Sequence, residues 1–277
     1  VTPLELKVTN LDNGVISYRV NDVDFSKVGS YTVQASATDD TGRKVSQARY
    51  TVVKDKAPRQ AKNVILFVGD GMSLQAREMA RILSKGMTNG KYNDLLAMEK
   101  MPHNCLITTS GYDSLTTDSA NSASAYATGH KSVVNAMGVY EDSTADPFDD
   151  PRVENITEIV KRSRGMSVGI ITQAESTDAT PAAMVGHTRR RANQDYLASE
   201  YLEDYHRPDV IMGGGLQRYI PQGEEGSKRH DNQNVVQEFK DKGYTYATTS
   251  KEMMAAPSDK PLLGLFHKGT MNVYIDR

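Results

Sequence analysis

The chain has 277 residues, and its 33 Lys and Arg nearly balance its 35 Asp and Glu, so the net charge at pH 7 is −2. This balance argues against a basic surface for nucleic acid, and no apolar run approaches the roughly 20 residues that a membrane-spanning helix needs. The single cysteine, Cys105, excludes an internal disulfide and a thiolate metal cluster, and we expect it to be a small buried side chain.

Residues 1–57 alternate apolar and polar side chains, which is the period of half-buried β-strands. The clearest strand places Tyr31 and Val33 on one face, and after a turn at residues 39–42 a second strand repeats the period. About four strands without a helix predict a small antiparallel β-sandwich segment. Residues 25–42 resemble the last strands of bacterial immunoglobulin-like surface repeats, which implies a partial module of that type.

After a predicted linker at residues 58–62, residues 63–277 carry a different pattern. Residues 64–68 are continuously apolar, as expected of a strand buried on both faces of a parallel sheet. Further on, we predict helices around residues 79–83, 156–164, 196–202 and 235–239, and strands at 168–171, 210–212 and 262–266. This alternation predicts an α/β domain with a mostly parallel sheet flanked by helices. The acidic residues 137–154 are predicted to form a solvated loop.

An aspartate between two glycines follows the first predicted strand, in the sequence Gly69-Asp70-Gly71. Ligands of open α/β sheets bind beyond the carboxyl ends of the strands, where Asp70 can approach a cation closely. The alternative is that Asp70 only caps a helix that starts near Ser73.

A second segment, at residues 117–131, is rich in Ala and Ser and predicts a helix that begins at Asp118 or Ser119. A serine at a helix N-terminus faces unpaired N–H groups and the positive end of the helix dipole, which favours a phosphate there. The alternative is that either residue is only an N-cap of a packed helix.

A third segment follows the strand predicted at 168–172 and contains Asp178, Thr180 and three arginines at 189–191. Asp178 and Thr180 offer oxygen ligands of the type that Mg²⁺ selects, and an arginine can bind phosphate oxygens with both arms of its fork. By themselves, the arginines are equally explained as a solvated basic face.

Together the three segments resemble the alkaline phosphatase family over residues 62–277. The motifs that carry the resemblance occur in family order and are Gly69-Asp70-Gly71-Met72, Asp118-Ser119-Ala120, and Asp178-Ala179-Thr180-Pro181 followed by Arg191. Family-like segments also occur at residues 209–215 and 261–266. The resemblance implies the alkaline phosphatase fold and the hydrolysis of phosphate monoesters through a phosphoserine intermediate.

The resemblance implies that Ser119 is the nucleophile, that Arg191 clamps two oxygens of the phosphoryl group, and that Asp118 orients this arginine. It also implies two zinc ions and one magnesium ion, which stabilise the attacking and leaving oxygens.

The resemblance also implies that Asp70 bridges the magnesium and the zinc ion that binds Ser119. Thr180 is the implied magnesium ligand, and Asp178 holds the waters of that ion.

The family's remaining metal ligands have no counterpart among the six histidines of the chain. We therefore expect the phosphatase domain to be C-terminally incomplete and the 277-residue chain to be inactive by itself. His130 and His187 lie inside family motifs, and we expect them to have structural or supporting roles.

Two alternatives remain open. One is a phosphodiesterase or sulfatase of the same superfamily, although the Cys-x-Pro-x-Arg or Ser-x-Pro-x-Arg signature of sulfatases is absent around Ser119. The other is a non-catalytic surface-binding or adhesion protein with a degenerate phosphatase domain. As a phosphatase, the protein is expected to act on small phosphomonoesters, to form a homodimer as the family commonly does, and to be periplasmic, secreted or at the cell surface, although no signal peptide is visible.

Overall fold

The structure is a computed structural model that describes residues 4, 6–10, 16–20, 23, 25–52, 54, 61–142, 144 and 146–273. The chain divides into two compact units, Val1–Val68 and Gly69–Arg277. The predicted division into residues 1–57, 58–62 and 63–277 stays a prediction.

The strands described in the first unit pair in two antiparallel pairs. Strand β1 (Lys7–Asn10) pairs with β2 (Ile16–Arg19), and β3 (Gly29–Asp39) pairs with β4 (Gly42–Val52). Asp39 stabilises the turn between β3 and β4, because its Oδ1 accepts a hydrogen bond from the Thr41 amide at 2.8 Å. The predicted antiparallel pairing is confirmed, whereas the immunoglobulin-like nature of the segment stays a prediction.

The second unit alternates helices and strands. In chain order they are α1 (Leu74–Lys85), β5 (Met87–Thr88), β6 (Lys91–Tyr92), α2 (Ser119–Thr128), α3 (Ile156–Arg164), β7 (Gly169–Glu175), α4 (Ala179–Ala182), α5 (Gln194–Glu200), β8 (Val210–Gly214), α6 (Val235–Asp241), β9 (Thr245–Ala247), α7 (Ser250–Ala255) and β10 (Leu262–Leu265), with 3₁₀ turns at Ala97–Lys100 and Leu216–Arg218. Within the described residues, none of the helices has the length and apolar character needed to cross a membrane.

A parallel sheet with the strand order β7-β8-β10-β9 organises this unit. Ile211 of β8 and Leu263 of β10 are fully buried in it, together with Phe239 of α6 and Leu197 of α5. The predicted α/β class, with a parallel sheet flanked by helices, is confirmed. Because β7 ends at Glu175, the loop that follows it lies at the carboxyl edge of the sheet, where ligands of this architecture bind.

Several predicted elements are confirmed close to their expected bounds. The periodic residues at 156–164 form α3, which ends at Gly165 with a φ of +58°, a left-handed conformation that favours glycine. The strands expected at 168–171, 210–212 and 262–266 are β7, β8 and β10. The short elements α4, β9 and α7 are findings of the structure alone.

The strand predicted at residues 64–68 is wrong. These residues form no strand pairing in the described structure, and Val64, Ile65 and Phe67 are 77%, 79% and 86% exposed. An apolar run forms a buried strand only when neighbouring strands supply partners for its backbone hydrogen bonds and other elements cover both faces of the sheet.

Two predictions about burial are also wrong. Cys105 is exposed instead of buried. The described residues among 137–154 do form a loop, but Met137 and Val139 are buried, since Met137 forms an antiparallel bridge with Thr188 and Val139 forms one with Arg152. The prediction of a solvated loop from its acidic composition is therefore correct for only part of the loop, because two short β-bridges bury its first residues.

Candidate active site

Asp70 lies in a tight turn that leaves its carboxylate exposed. The turn is closed by a hydrogen bond from the Met72 amide to the Gly69 carbonyl at 3.2 Å, and Gly71 adopts a φ of +65° that favours glycine. Ser73, not Asp70, is the N-cap of α1, and its hydroxyl accepts a backbone hydrogen bond at 3.1 Å. The alternative in which Asp70 only caps this helix is therefore wrong.

Thr180 lies in α4, which begins after the short turn that follows the carboxyl end of β7. Its Oγ1 donates a hydrogen bond of 2.8 Å to Oδ2 of Asp70, although 110 residues separate the two along the chain. This contact places two oxygen atoms of different chemical type side by side in an exposed position. A carboxylate next to a hydroxyl is a ligand pair that suits a hard cation such as Mg²⁺.

Ser119 is the first residue of α2, and Asp118 is its N-cap. Oδ1 of Asp118 accepts from the Asn121 amide at 3.1 Å, and the Asn121 side chain accepts from the Asp118 amide at 3.2 Å. This reciprocal capping box holds the first turn of the helix in place. Ala120 and Ala123 are buried in the same core cluster as Ala179, so small side chains let α2 approach the α4 region closely.

The guanidinium of Arg191 connects the two helix starts. Its Nη1 donates to Ser119 Oγ at 2.9 Å and to Asp118 Oδ2 at 3.2 Å, while its Nη2 donates to Asp178 Oδ1 at 2.8 Å. Its backbone amide donates to the Asn135 carbonyl at 2.9 Å, which anchors the loop that carries it. Asp118 therefore uses one carboxylate oxygen to cap α2 and the other to orient the arginine.

The three consecutive arginines have different environments. Arg189 donates to Glu141 Oε1 at 2.7 Å and to the Val134 carbonyl at 3.2 Å, and Arg190 is exposed to solvent. Arg191 is the one whose guanidinium contacts Ser119. The solvated basic face that the sequence left open is thus correct for Arg190 and does not describe Arg191.

The six predicted side chains form two hydrogen-bonded groups, which are Asp70 with Thr180, and Arg191 with Ser119, Asp118 and Asp178. The two groups are linked through the backbone at the start of α4, where Asp178 and Thr180 are two residues apart. Together the two groups contain three carboxylates and one guanidinium, so negative charge exceeds positive charge. A phosphate dianion would be repelled by this excess unless cations offset it. The geometry is therefore suited to an anion only together with bound metal.

The metal-ligating histidines of a zinc centre do not occur around Asp70 within the described residues. Among the described residues, two other groups of His and Glu side chains bring their ligand atoms close together. They are Glu158, His187 and His206, and Glu200, Glu203 and His206. Neither cluster was predicted from the sequence. The members of the first are up to 48 residues apart, and the three of the second lie within six residues but match no recognised motif. Of these residues, His187 is the one that lies inside a motif of the sequence, the third segment that ends at Arg191.

Comparisons with known proteins identify the family that this chain resembles. The family model described as alkaline phosphatase matches residues 61–277. Alkaline phosphatase 4 of Bacillus subtilis (strain 168) is 30% identical over 241 residues, which cover 85% of this chain and 48% of that protein.

Solved structures are similar as well. The cold-active alkaline phosphatase of a psychrophilic Shewanella species has 27% identity and a TM-score of 0.62, over 76% of this chain and 47% of that one. A variant of the TAB5 alkaline phosphatase with Mg bound in its M3 site has 28% identity and a TM-score of 0.51, over 60% of this chain and 43% of that one. The chain thus spans about half the length of the proteins it matches.

Proposed function

The chain belongs to the alkaline phosphatase family, and we propose that it carries the nucleophile and the phosphate-binding arginine of an enzyme that hydrolyses phosphate monoesters. The observation that carries the proposal is the hydrogen bond of 2.9 Å between Arg191 Nη1 and Ser119 Oγ at the start of α2. It places a hydroxyl group, a cationic fork and the unpaired N–H groups of a helix N-terminus together. These are the groups that bind a phosphoryl group and attack it.

In this proposal Arg191 binds and orients the substrate. Asp118 and Asp178 each hold one arm of its guanidinium, which fixes the plane of the fork before substrate arrives. Two parallel N–H groups match the oxygens of a phosphoryl group in geometry and charge. Ser119 is then held beside the bound phosphorus, and the reaction passes through a phosphoserine at this residue.

The residues present fit a magnesium ion. Asp70 and Thr180 would hold it, since their oxygens already lie 2.8 Å apart and are exposed, and Asp178 would hold its waters. A variant of the TAB5 alkaline phosphatase holds Mg in its M3 site, which supports a magnesium ion in a protein of this fold. The metals supply positive charge that offsets the carboxylates and favours ionisation of a nearby hydroxyl.

The fit to zinc is incomplete. Asp70 and Ser119 would supply two ligands to one zinc ion, whereas catalytic zinc normally has three protein ligands. For a second zinc ion, the described residues of this site offer no remaining ligand set. The expectation that residues 1–277 have no turnover by themselves rests on this ligand count and stays a prediction.

Small phosphomonoesters are the proposed substrates. The intact contacts among Ser119, Arg191 and Asp118 argue against a degenerate domain that serves only in adhesion. A homodimer and a periplasmic, secreted or cell-surface location are proposals that rest on the family.

The test is hydrolysis of an aryl phosphate by the full-length protein with zinc and magnesium. Ser119→Ala should lower turnover at least ~10³-fold, because the nucleophile is lost. Ser122→Ala is the matched control: Ser122 lies in the same helix, and its hydroxyl donates to the Asp118 carbonyl at 2.7 Å. Turnover that survives in Ser119→Ala, or that falls equally in both variants, would overturn the proposal.

A further inference from the structure

Three buried side chains that the proposed reaction does not use converge on one point. Glu158 of α3, His187 of the loop after α4 and His206 beyond α5 are each less than one-tenth exposed. Oε2 of Glu158 lies 3.2 Å from Nε2 of His187, and Oε1 of Glu158 lies 3.5 Å from Nδ1 of His206. None of the three belongs to the six residues around Ser119.

The hydrogen bonds of the two rings determine which nitrogens face the carboxylate. Nδ1 of His187 lies 2.7 Å from the Gly138 carbonyl, and Nε2 of His206 lies 2.8 Å from the Glu200 carbonyl. A carbonyl oxygen only accepts, so each of these ring nitrogens carries the proton. In the neutral rings the opposite nitrogens, Nε2 of His187 and Nδ1 of His206, direct lone pairs toward Glu158.

This arrangement needs a positive species between the three groups. Nδ1 of His206 has no hydrogen-bond partner among the described residues, although the ring is completely buried. Nitrogen and carboxylate lone pairs that face each other in a buried space repel, and such a cost is relieved by a cation or by protons. Oδ1 of Asn155 is also buried without a partner, and its amide Nδ2 lies 3.4 Å from Nε2 of His187. A half-turn of this amide presents an additional oxygen ligand to the same point.

The charges around the cluster also favour a cation. Glu200 accepts from the His187 amide at 2.9 Å, and a carboxylate oxygen of Glu203 lies 3.8 Å from Nε2 of His206. The positive side chain that pairs with both glutamates is Arg152, at 3.4 Å from each. With Glu158 included, negative charge exceeds positive charge while the rings are neutral.

We propose that Glu158, His187 and His206 bind a divalent cation of the zinc type, at a site separate from Ser119. Ligands at about 2.0–2.1 Å from a tetrahedral zinc ion are roughly 3.3 Å from one another. The two carboxylate oxygens of Glu158 lie 3.2 and 3.5 Å from the two ring nitrogens, and one ligand atom from each of the three residues lies within 4.8 Å of the others, so a small inward shift would bring them to zinc-ligand spacing. Histidine ligands of metals characteristically donate their other N–H to a carbonyl or carboxylate, as both rings do here. Because His187 and Arg191 share one loop, the cation would tie α3 to the segment that presents the arginine.

The test uses zinc alone as the probe and the 277-residue chain with Asp70→Asn and Ser119→Ala, which removes the proposed active-site zinc ligands. Competition with a chromophoric chelator should reveal one tightly bound zinc per chain. Glu158→Gln in this background should weaken zinc binding at least tenfold, because Gln can still accept from the Asn155 amide but supplies no charge. Glu154→Gln is the matched control, since Glu154 pairs with Arg162 at the surface.

X-ray absorption at the zinc edge of the background chain gives a second readout that does not depend on the folding of Glu158→Gln. Two imidazole nitrogens and a carboxylate oxygen at about 2.0–2.2 Å are expected. The proposal is overturned by a chain that binds no stoichiometric zinc, by spectra without two imidazole ligands, or by equal zinc affinity in folded Glu158→Gln and Glu154→Gln. Nitrogen NMR that shows both rings doubly protonated at pH 8 with zinc present would also overturn it.

Discussion

Replacement of Arg191 by alanine should weaken phosphate binding more than any change at its two neighbours. The variant removes a fork that can donate two charge-assisted hydrogen bonds to phosphate, each worth about 1.5–3 kcal/mol. It also leaves Asp118 and Asp178, which now pair with Arg191 at 3.2 and 2.8 Å, without their cationic partner. We therefore expect phosphate binding to lose about 3 kcal/mol of free energy, which corresponds to a ~150-fold rise in the inhibition constant of phosphate.

The assay is competitive inhibition of aryl phosphate hydrolysis by inorganic phosphate in the full-length protein, with direct calorimetric binding where turnover is too low. Arg190→Ala is the control for charge alone, because Arg190 is exposed, and it should change the inhibition constant less than about threefold. Arg191→Lys should recover only part of the affinity, since lysine is a point charge without a fork. A larger effect at Arg189 or Arg190 than at Arg191 would show that the assignment of the arginine is wrong.

Two further predictions concern the isolated chain and its stability. Residues 1–277 alone should hydrolyse aryl phosphate no faster than free zinc and magnesium, because Asp70 and Ser119 supply only two zinc ligands; turnover that Ser119→Ala abolishes would contradict this. Burial raises the pKa of Asp150 from 3.8 to about 6, so the folded state binds this proton more tightly than the unfolded chain. The fold therefore loses stability as the pH rises from about 4 to about 6, and the full cost of the ionised carboxylate is reached above about pH 6. Asp150→Asn keeps an acceptor for the Asp142 amide. It should raise the free energy of unfolding by about 1–3 kcal/mol at pH 8, with little gain at pH 4. Thermal denaturation that shows equal gains at both pH values would contradict the raised pKa of Asp150.

The sequence predicted those parts of the fold whose signals are local. Helix α3 has an apolar period and a glycine at its end, and Gly165 adopts the left-handed conformation that the pattern requires. The helix start at Asp118 also has a local signal, whereas the helix start at Asp178 was not predicted. The roles of Asp70, Asp118 and Asp178 in a site came from the family resemblance and stay predictions. Their mutual contacts were implied only by the family resemblance.

What the sequence could not predict depends on contacts between distant residues. The bridge between Met137 and Thr188 buries the first residues of a loop whose composition is acidic. Convergence of Glu158 and His206, 48 residues apart, leaves no periodic trace in either segment. Residues 64–68 are an example in the other direction, because they are apolar but exposed. An apolar pattern indicates that a segment can be buried, but it does not show whether other elements cover that segment.

The central claim is that Ser119 is the nucleophile, and the most direct measurement is the site of phosphorylation. The full-length protein is incubated with labelled phosphate or an aryl phosphate, quenched in acid, digested and mapped by mass spectrometry. The label is expected on Ser119, at the N-terminus of α2 beside Arg191. Ser122 already donates to a backbone carbonyl, and Ser124 is buried and accepts from the Gly138 amide at 3.0 Å. Label on either of these serines, or no covalent phosphate in a protein that turns over substrate, would contradict the account.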